Sequence, residues 1–387
     1  KARESSKILA TMPTEKKNQM LKTAADALNQ YQDEILAENQ KDVTGARDKS
    51  KHFIDRLTLT PQRIKDMAQG IEELIKLSDP VGEVIESFYT HAGLEIKKVR
   101  VPLGVIGIIY EARPNVTADA IGLSIKSGNC VILRGSKDAI CSNKAIVNAI
   151  KKALNNTGFD SDCIGLVEDA SRQSANDMMA AHGLIDVLIP RGGAELIKSV
   201  VENSKVPVIE TGCGNCHVYV EKSADIDMAV NITLNAKTNR PSVCNAAESL
   251  LVDEQIAPAF LPRALKELSA AGVEIRGCKE TKKYFEYVIS ATREDYYTEY
   301  NDLIIAVKVV KDIDEAISHI DKHSTRHSDA IVTSDDAAAE KFLREVDSAA
   351  VYVNASTRFT DGFEYGFGAE MGISTQKLHA RGPMGLK

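Results

Sequence analysis

The stretch Leu103-Gly104-Val105-Ile106-Gly107-Ile108-Ile109-Tyr110 decides the fold class, because it is apolar at nearly every position. A strand with one face in water alternates apolar and polar residues, whereas a strand buried on both faces of a parallel sheet is apolar throughout. Similar short runs follow at residues 130–134, 184–190 and 206–210, and stretches with helical spacing separate them. Buried strands that alternate with helices predict an α/β domain with a parallel sheet.

The residues before this run predict helices and then a hairpin. Apolar residues recur at helical spacing from Leu21 to Ile35, and Thr60-Pro61 has the form of an N-cap followed by proline at the first helical position. Residues 83–101 alternate in polarity, which indicates an exposed hairpin or an edge strand.

A second series of apolar runs follows Cys216. Helical stretches separate these runs, which lie at residues 217–221, 249–253, 303–310, 330–333 and 350–354. With 387 residues the chain exceeds the usual size of one domain, so we expect a second α/β domain.

The composition excludes several classes of protein. A hydrophobic content of 43% and a charged content of 27% are typical of a globular protein. The formal net charge of -7 argues against nucleic acid or an anionic membrane as the main partner. No apolar run approaches the length of a membrane span or resembles a signal-peptide core. Seven scattered cysteines favour a reducing, cytoplasmic location, and the start at Lys1 without methionine leads us to expect a natural N-terminus further upstream.

Cys244 is the strongest candidate for a nucleophile. It lies in Thr238-Asn239-Arg240-Pro241-Ser242-Val243-Cys244-Asn245, just after a turn-forming Arg-Pro-Ser and among small or polar neighbours. A thiol is nucleophilic enough near neutral pH to attack a carbonyl once other groups hold the oxyanion. Free cysteines are also among the most buried residue types, so a packed core cysteine is the alternative.

Polar residues at the ends of the predicted strands are candidates for further chemistry. In Glu111-Ala112-Arg113-Pro114-Asn115, the Asn115 amide can donate to an oxyanion and Arg113 can pair with a substrate anion. A helix cap is the alternative for Asn115, because Pro-Asn-x-Thr is common at helix starts. Glu210 is a candidate general base, and Glu299 can accept a hydrogen bond from a ribose hydroxyl.

Two glycine-containing turns are candidates for a nucleotide site. No G-x-G-x-x-G in a strand–helix context and no P-loop occurs in the sequence. Arg134-Gly135-Ser136-Lys137 follows a predicted strand and precedes a helix, which suits a ribose or phosphate contact; a solvated basic turn is the alternative. Arg191-Gly192-Gly193 can expose backbone N–H groups to a phosphate, and a plain tight turn is the alternative.

Two sets of metal-ligand residue types are better explained without a metal. Cys213-Gly214-Asn215-Cys216-His217 formally matches a c-type haem attachment or half a zinc site. Haem attachment requires export and zinc requires a second pair of ligands, and the sequence indicates neither. His319, His323 and His327 stand four residues apart, but Ser324-Thr325 continues a helix poorly, so we expect structural or solvated roles for them and no metal site.

Seven segments together carry a family resemblance. They are VPLGVIG (101–107), EARPNVT (111–117), GNCVILRG (128–135), IPRGGA (189–194), NAKT with RPSVCN (235–245), VNASTRFTDG (353–362) and STQKLHARGPMGL (374–386). In this order they resemble the aldehyde dehydrogenase superfamily and, within it, the γ-glutamyl phosphate reductase (glutamate-5-semialdehyde dehydrogenase) family of proline synthesis. The resemblance covers nearly the whole chain, and the last segment is highly specific.

The resemblance implies a reaction and a set of catalytic residues. The reaction is the NADPH-dependent reduction of L-glutamyl 5-phosphate to L-glutamate 5-semialdehyde and phosphate through a cysteine thioester. Cys244 is then the nucleophile, and Asn115 is the side-chain oxyanion donor. Candidates for the carboxylate and phosphate of the substrate are Arg113, Arg240 and Arg358.

The resemblance also implies a dinucleotide site without the usual glycine fingerprint. Arg134, Ser136 and Lys137 would lie at the cofactor ribose, Gly192 and Gly193 at the pyrophosphate, and Glu299 at the nicotinamide ribose. NAD-preferring relatives carry a glutamate at the position of Lys137, so a cation there favours the 2′-phosphate of NADPH. Glu210 stands where hydrolytic aldehyde dehydrogenases keep a base, and a hydrolytic NAD(P)-dependent aldehyde dehydrogenase is the alternative function.

The implied architecture is aldehyde-dehydrogenase-like, with two α/β domains and a small oligomerisation hairpin. We expect a Rossmann-like cofactor-binding domain at 1–82 and 102–212 and a catalytic domain at 213–360. The hairpin at 83–101 and the tail at 361–387 are expected to serve oligomerisation. The implied partners are the small-molecule substrate, further copies of the chain and a glutamate kinase, with no nucleic acid and no membrane.

Overall fold

Two units make up the chain in the computed structural model, which describes residues 1–387 with the exception of the side chain of His52. The first unit comprises Lys1–Thr211, Gly366–Gly372 and Met384–Lys387. The second comprises Gly212–Tyr365 and Ile373–Pro383. Among the described residues no helix is long and apolar enough to span a bilayer.

The first unit contains nine helices and six strands among its described residues. The helices are α1 (Ala2–Ala10), α2 (Thr14–Gln30), α3 (Gln32–Gly45), α4 (Lys51–Leu57), α5 (Pro61–Lys76), α6 (Pro114–Lys126), α7 (Ile140–Asn156), α8 (Arg172–Ala180) and α9 (Ala194–Asn203). The strands are β1 (Val84–Tyr89), β2 (Glu95–Val99), β3 (Val105–Tyr110), β4 (Cys130–Arg134), β5 (Ile164–Leu166) and β6 (Val187–Arg191).

A four-stranded parallel sheet organises this unit in the order β5-β4-β3-β6. All six residues of β3 are buried, as its continuous apolar run predicts. The α5 prediction is also confirmed: Thr60 accepts a hydrogen bond from the Arg63 N–H at 3.2 Å, and Pro61 opens the helix. Residues 83–101 form the predicted hairpin, in which β1 pairs antiparallel with β2 and every residue of both strands is exposed.

The second unit carries a larger sheet. Its helices are α10 (Ile226–Thr238), α11 (Ala257–Ala270), α12 (Ile313–His323) and α13 (Asp336–Glu345). Its strands are β7 (Cys216–Val220), β8 (Ala247–Asp253), β9 (Glu274–Gly277), β10 (Ile289–Ser290), β11 (Ile304–Val310), β12 (Ser328–Val332) and β13 (Ala350–Val353). The last two strands of the chain, β14 (Gly372–Ser374) and β15 (Gly382–Met384), pair with each other.

Seven parallel strands form the sheet of the second unit, in the order β10-β9-β11-β8-β7-β12-β13. Its two faces bury separate clusters: Leu250 and Val252 pack on one face, and Tyr219 and Leu251 pack on the other. The register between β7 and β8 shifts at Cys216, so that Glu248 is an extra residue in β8. Such bulges are frequent beside active sites, where they redirect a side chain.

The predicted α/β fold is confirmed, but one predicted strand is absent and several short strands were not predicted. Residues 206–210 are not a strand, because Pro207 has no N–H to donate and only Val208 forms an isolated bridge with Leu188. The strand β5, which the apolar runs do not predict, pairs with β4 at the opposite edge of the sheet from β6. The short strands β9 and β10 also escape the prediction. The functional roles assigned to the domains, the hairpin and the tail stay predictions.

Candidate active-site residues

Cys244 lies in a turn between α10 and β8. The helix α10 begins at Asp225, whose carboxylate accepts the Met228 N–H at 2.8 Å, and it ends before Pro241, which cannot continue a helix. Cys244 is partly exposed, whereas Cys130, Cys163 and Cys216 are buried. The packed-core alternative therefore does not describe Cys244. A partly exposed thiol in a turn between a helix and a strand is accessible to a small molecule.

Two arginines bring positive charge to the residues around Cys244. The Arg358 guanidinium donates to the side-chain oxygen of Asn245, the residue that follows Cys244, and to Asn239 Oδ1 at 3.3 Å. Burial and the like charge of Arg240 lower the pKa of Arg358. A bound phosphate or carboxylate would relieve this repulsion between two cations. The structure thus brings two of the three predicted substrate arginines, Arg240 and Arg358, together beside the candidate nucleophile.

Glu299 is held on a loop that a buried ion pair supports. Its Oε1 accepts the Gly214 N–H at 2.8 Å. Two residues further on, Asn301 has a positive φ of 56° and donates its N–H to Glu248 Oε1 at 3.2 Å. Glu248 Oε2 in turn lies 2.6 Å from Lys237 Nζ. The bulge in β8 places Glu248 at this contact. Glu299 Oε2 makes no hydrogen bond to any side chain that the structure describes.

The Lys237–Glu248 pair is completely buried, with side-chain exposures of 0% and 1%. Burial raises the pKa of the Glu248 carboxyl to about 7, and burial lowers the pKa of Lys237, while the short contact between them opposes both shifts. Neither residue was predicted to matter. Lys237 was visible only as part of a family motif, and the function of Glu248 depends on a bulge that no sequence pattern indicates.

The three residues predicted at the cofactor ribose lie at the end of β4, in the first unit. The Arg134 guanidinium donates to the carbonyl oxygens of Ala170 and Ser171 at 2.8 and 2.6 Å, so these donors serve the structure. Ser136 caps the following 3-10 turn by accepting the Asp138 N–H at 3.2 Å. Lys137 is exposed and makes no hydrogen bond or ion pair with the residues that the structure describes. Of the three, Lys137 is best suited to meet a phosphate.

The Gly192–Gly193 turn lies between β6 and α9, with Gly193 as the N-cap of the helix. The start of a helix favours an anion, which suits the predicted pyrophosphate contact. However, the Gly193 N–H donates to Glu111 Oε2 at 3.1 Å. The carboxylate of Glu111 thus lies where a phosphate oxygen was expected, and sequence reasoning assigned no role to this residue.

Asn115 is the second residue of α6, and its amide contacts the same helix. The N-cap of α6 is Arg113 and Pro114 is its first residue, so the helix-cap alternative for Asn115 is wrong. Asn115 Nδ2 donates to Asp119 Oδ2, one turn further on, at 3.2 Å. Burial raises the pKa of Asp119 to about 6. This contact orients the amide and leaves its second N–H for another acceptor.

Glu210 follows the irregular segment after β6 and is partly buried, and burial raises its pKa. A raised pKa is compatible with a base, but it also describes many partly buried carboxyls. Its predicted role as the base of a hydrolytic enzyme stays a prediction that the geometry of the first unit does not test.

The three histidines spaced by four residues and the Cys-x-x-Cys-His motif lie in the second unit, mostly buried, with His323 and Cys213 partly exposed. His319 and His323 stack with ring centroids 4.0 Å apart, and α12 ends at His323, as the Ser-Thr pair after it predicts. Burial lowers the pKa of His319 to about 2 and that of His327 to about 4. His217 Nδ1 lies 3.1 Å from Asp329 Oδ1. The described side chains contain no group of three or more ligands arranged for a metal ion.

Comparisons with known proteins give a consistent result. The profile of the aldehyde dehydrogenase family matches residues 1–282. The chain is 59% identical over 389 residues to γ-glutamyl phosphate reductase of Carboxydothermus hydrogenoformans, with coverage of 100% of this chain and 94% of the relative. The crystal structure of γ-glutamyl phosphate reductase from Thermotoga maritima superimposes with a TM-score of 0.96 at 51% identity and covers 100% of this chain and 94% of its own.

Proposed function

The chain belongs to the aldehyde dehydrogenase family and groups there with the γ-glutamyl phosphate reductases, and we propose from this premise that it reduces L-glutamyl 5-phosphate. The resemblance inferred from the motifs is thereby confirmed. The products are L-glutamate 5-semialdehyde and phosphate, and the reaction belongs to proline biosynthesis. The observation that carries the proposal is the identity of 59% along the full length of the chain to a reductase of that name.

Cys244 is the proposed nucleophile. Its thiolate attacks the acyl carbon of the acyl phosphate to form a tetrahedral oxyanion, and this oxyanion collapses to a thioester as phosphate leaves with the electrons of the broken C–O bond. Phosphate is a good leaving group, so the protein has less need of a strong acid than of a thiolate and an oxyanion donor. The amide of Asn115 is proposed for that donor. Arg240 and Arg358 are proposed to bind the anionic groups of the substrate, and Arg113 is a further candidate.

The family uses NAD(P), and we infer that this chain prefers NADPH. When bound, the cofactor would supply the hydride that reduces the thioester, after which Cys244 leaves as the thiolate; the one proton that the overall reaction consumes is taken up by the released phosphate. Lys137 is exposed at the end of β4 and is the residue proposed to hold the 2′-phosphate. Ser136 and Arg134 are proposed beside it, Gly192 and Gly193 at the pyrophosphate, and Glu299 at the nicotinamide ribose.

The decisive assay runs the reaction in reverse, with glutamate semialdehyde, NADP and phosphate. Reduction of NADP that requires phosphate supports the proposal, whereas acid formation without phosphate would support a hydrolytic dehydrogenase that uses Glu210. Cys244→Ala should abolish turnover, and Cys278→Ala, which removes another partly exposed thiol, should not. Asn115→Ala should lower kcat by about 10²–10³, the usual cost of one oxyanion donor. Full turnover by Cys244→Ala would refute the thioester route.

The oligomeric state, the protein partner and the cellular location are also proposals. Tyr89 and Leu94 on the β1–β2 hairpin are 72% and 61% exposed, and we infer that this hairpin joins copies of the chain in a homo-oligomer. A glutamate kinase, which makes the labile acyl phosphate, is the inferred protein partner, and the cytoplasm is the inferred location. Sedimentation of the purified protein tests the first inference.

A further inference from the structure

The backbone of Gly214 lies directly against the backbone of Cys244. A Cβ atom added to Gly214 would stand 1.4 Å from the Cys244 carbonyl oxygen and 2.3 Å from its carbonyl carbon. These atoms are backbone, so no side-chain rotation can relieve the overlap. The φ angle of Gly214 is not positive, and glycine is therefore required here by packing rather than by backbone conformation.

Cys216 holds the same carbonyl group from a second direction. Its Sγ lies 3.2 Å from the Cys244 oxygen. Burial raises the pKa of the Cys216 thiol well above its usual range, so the sulfur keeps its proton and donates it. His327 Nδ1 lies 3.7 Å from the Cys216 sulfur, but it is not the acceptor for the thiol proton. The Ser328 hydroxyl donates its proton to Thr360, so it accepts a hydrogen bond from His327 Nδ1 at 2.8 Å. The carbonyl of Cys244 is thus the acceptor for the Cys216 S–H.

Residues 213–216, which we name the support loop, are fixed on their other side. Thr325 Oγ1 donates to the Cys213 oxygen at 2.6 Å and accepts the Asn215 N–H at 2.9 Å. Asn215 Nδ2 donates to two further backbone carbonyls, at 2.7 and 2.8 Å. The Gly214 N–H of the same loop is the one that Glu299 accepts. A rigid loop therefore transmits the position of Glu299 to the backbone of Cys244.

We propose that the support loop is a positioning element for the nucleophile, and that Glu299 acts on Cys244 through Gly214 in addition to any contact with the cofactor. This inference rests on the proposed function, since it assumes that Cys244 is the nucleophile. The Glu299 carboxylate then contacts both the cofactor ribose and the Gly214 N–H. Cofactor binding and the position of the Cys244 thiol become coupled, because a movement of Glu299 affects both.

The test measures the thiol without cofactor or substrate. Iodoacetamide alkylation of Cys244 is followed by peptide mass spectrometry in wild type, Glu299→Ala, Glu299→Gln and the control Glu280→Ala, an exposed carboxylate elsewhere in the second unit. Glu299→Ala should slow alkylation at least threefold, because a displaced turn takes the thiol away from the charge of Arg358, which favours the thiolate. Glu299→Gln retains an acceptor oxygen for Gly214 and should stay within a factor of two of wild type, as should Glu280→Ala.

The alternative is that Glu299 acts on the cofactor alone. Glu299→Ala would then weaken NADPH binding in a fluorescence titration but leave the alkylation rate unchanged, and that result, or a faster rate, overturns the proposal. Gly214→Ala should slow alkylation even more, and hydrogen exchange of β8 shows whether this variant is folded. Failure of the proposed function would appear separately, as phosphate-independent turnover in the semialdehyde assay.

Discussion

Replacement of Lys237 by methionine is expected to destabilise the second unit in a manner that depends on pH. In the wild-type protein the Lys237 ammonium contacts Glu248 at 2.6 Å, and both side chains are buried. Lys237→Met keeps the apolar stem and removes the charge, so Glu248 loses its partner in a site from which water is excluded. Removal of one member of a buried pair costs about 3–5 kcal/mol in general.

The pH dependence follows from the proton that Glu248 takes up. With Lys237 in place the pKa of Glu248 is already raised from 4.5 to about 7, so the wild-type carboxyl is mostly protonated at pH 5 and mostly ionised at pH 8.5. Without the ammonium, burial acts on this carboxyl alone, so it should stay protonated in the folded variant as the pH rises above 7. Each pH unit above 7 then costs the variant, but not wild type, up to about 1.4 kcal/mol. The deficit of Lys237→Met should therefore be constant between pH 5 and pH 6 and grow by about 1.5–2 kcal/mol between pH 7 and pH 8.5.

Hydrogen-exchange mass spectrometry of peptides from β8 is the suitable measurement, because the two units need not unfold together. The double variant Lys237→Met, Glu248→Gln has no carboxyl at this site, so its stability deficit should be nearly the same at pH 7 and pH 8.5. A deficit of the single variant below about 1 kcal/mol at pH 7, or one that does not grow between pH 7 and pH 8.5, would refute the reasoning.

Three further predictions concern the cofactor residues and the buried histidines. Lys137→Ala should weaken NADPH binding about 5- to 30-fold, the value of one exposed ion pair with a doubly charged phosphate, and leave NADH binding unchanged in fluorescence titrations. Glu111→Gln removes a negative charge at the start of α9 and should tighten NADPH binding about two- to fivefold; weaker binding would contradict a competing role for this carboxylate. His327 stays neutral because burial lowers its pKa from 6.5 to about 4, so acidification from pH 7 to 5 protonates only the unfolded imidazole. This acidification should lower the free energy of unfolding of wild type by about 1–2 kcal/mol more than that of His327→Gln, as measured by hydrogen exchange of β12 amides. Equal losses in the two proteins would disprove the assignment.

Much of the fold was predictable because buried parallel strands are apolar runs bounded by helices. The same signal fails where a strand is very short or exposed: β10 has two residues, and both are exposed. It also fails at residues 206–210, where the composition suits a strand but Pro207 interrupts the hydrogen bonding. Helix ends were predictable where a capping residue or a poor helix former marks them, as at Thr60 and at Ser324.

Some residues of the candidate site could likewise be predicted from the sequence, and others could not. Cys244 and the arginines near it were predictable because a thiol and a guanidinium have a characteristic chemistry wherever they lie. Gly214 and Cys216 were interpreted as part of an unimportant Cys-x-x-Cys pattern, since the contact that matters joins them to a residue far along the chain. The occupation of the Gly193 N–H by Glu111 likewise depends on two loops that meet only in the folded unit.

The extra residue in β8 marks the one position at which this strand can shorten without repacking. Ala247 and Leu250 face the same cluster although they are three positions apart, and both keep their partners in β7. Deletion of Glu248 would leave Leu250, Leu251 and Val252 in their present clusters and would remove only the carboxylate that meets Lys237. Loss of one residue between Leu250 and Val252 would instead turn the side chains that follow it to the opposite face, so natural or designed length changes in β8 should occur at position 248.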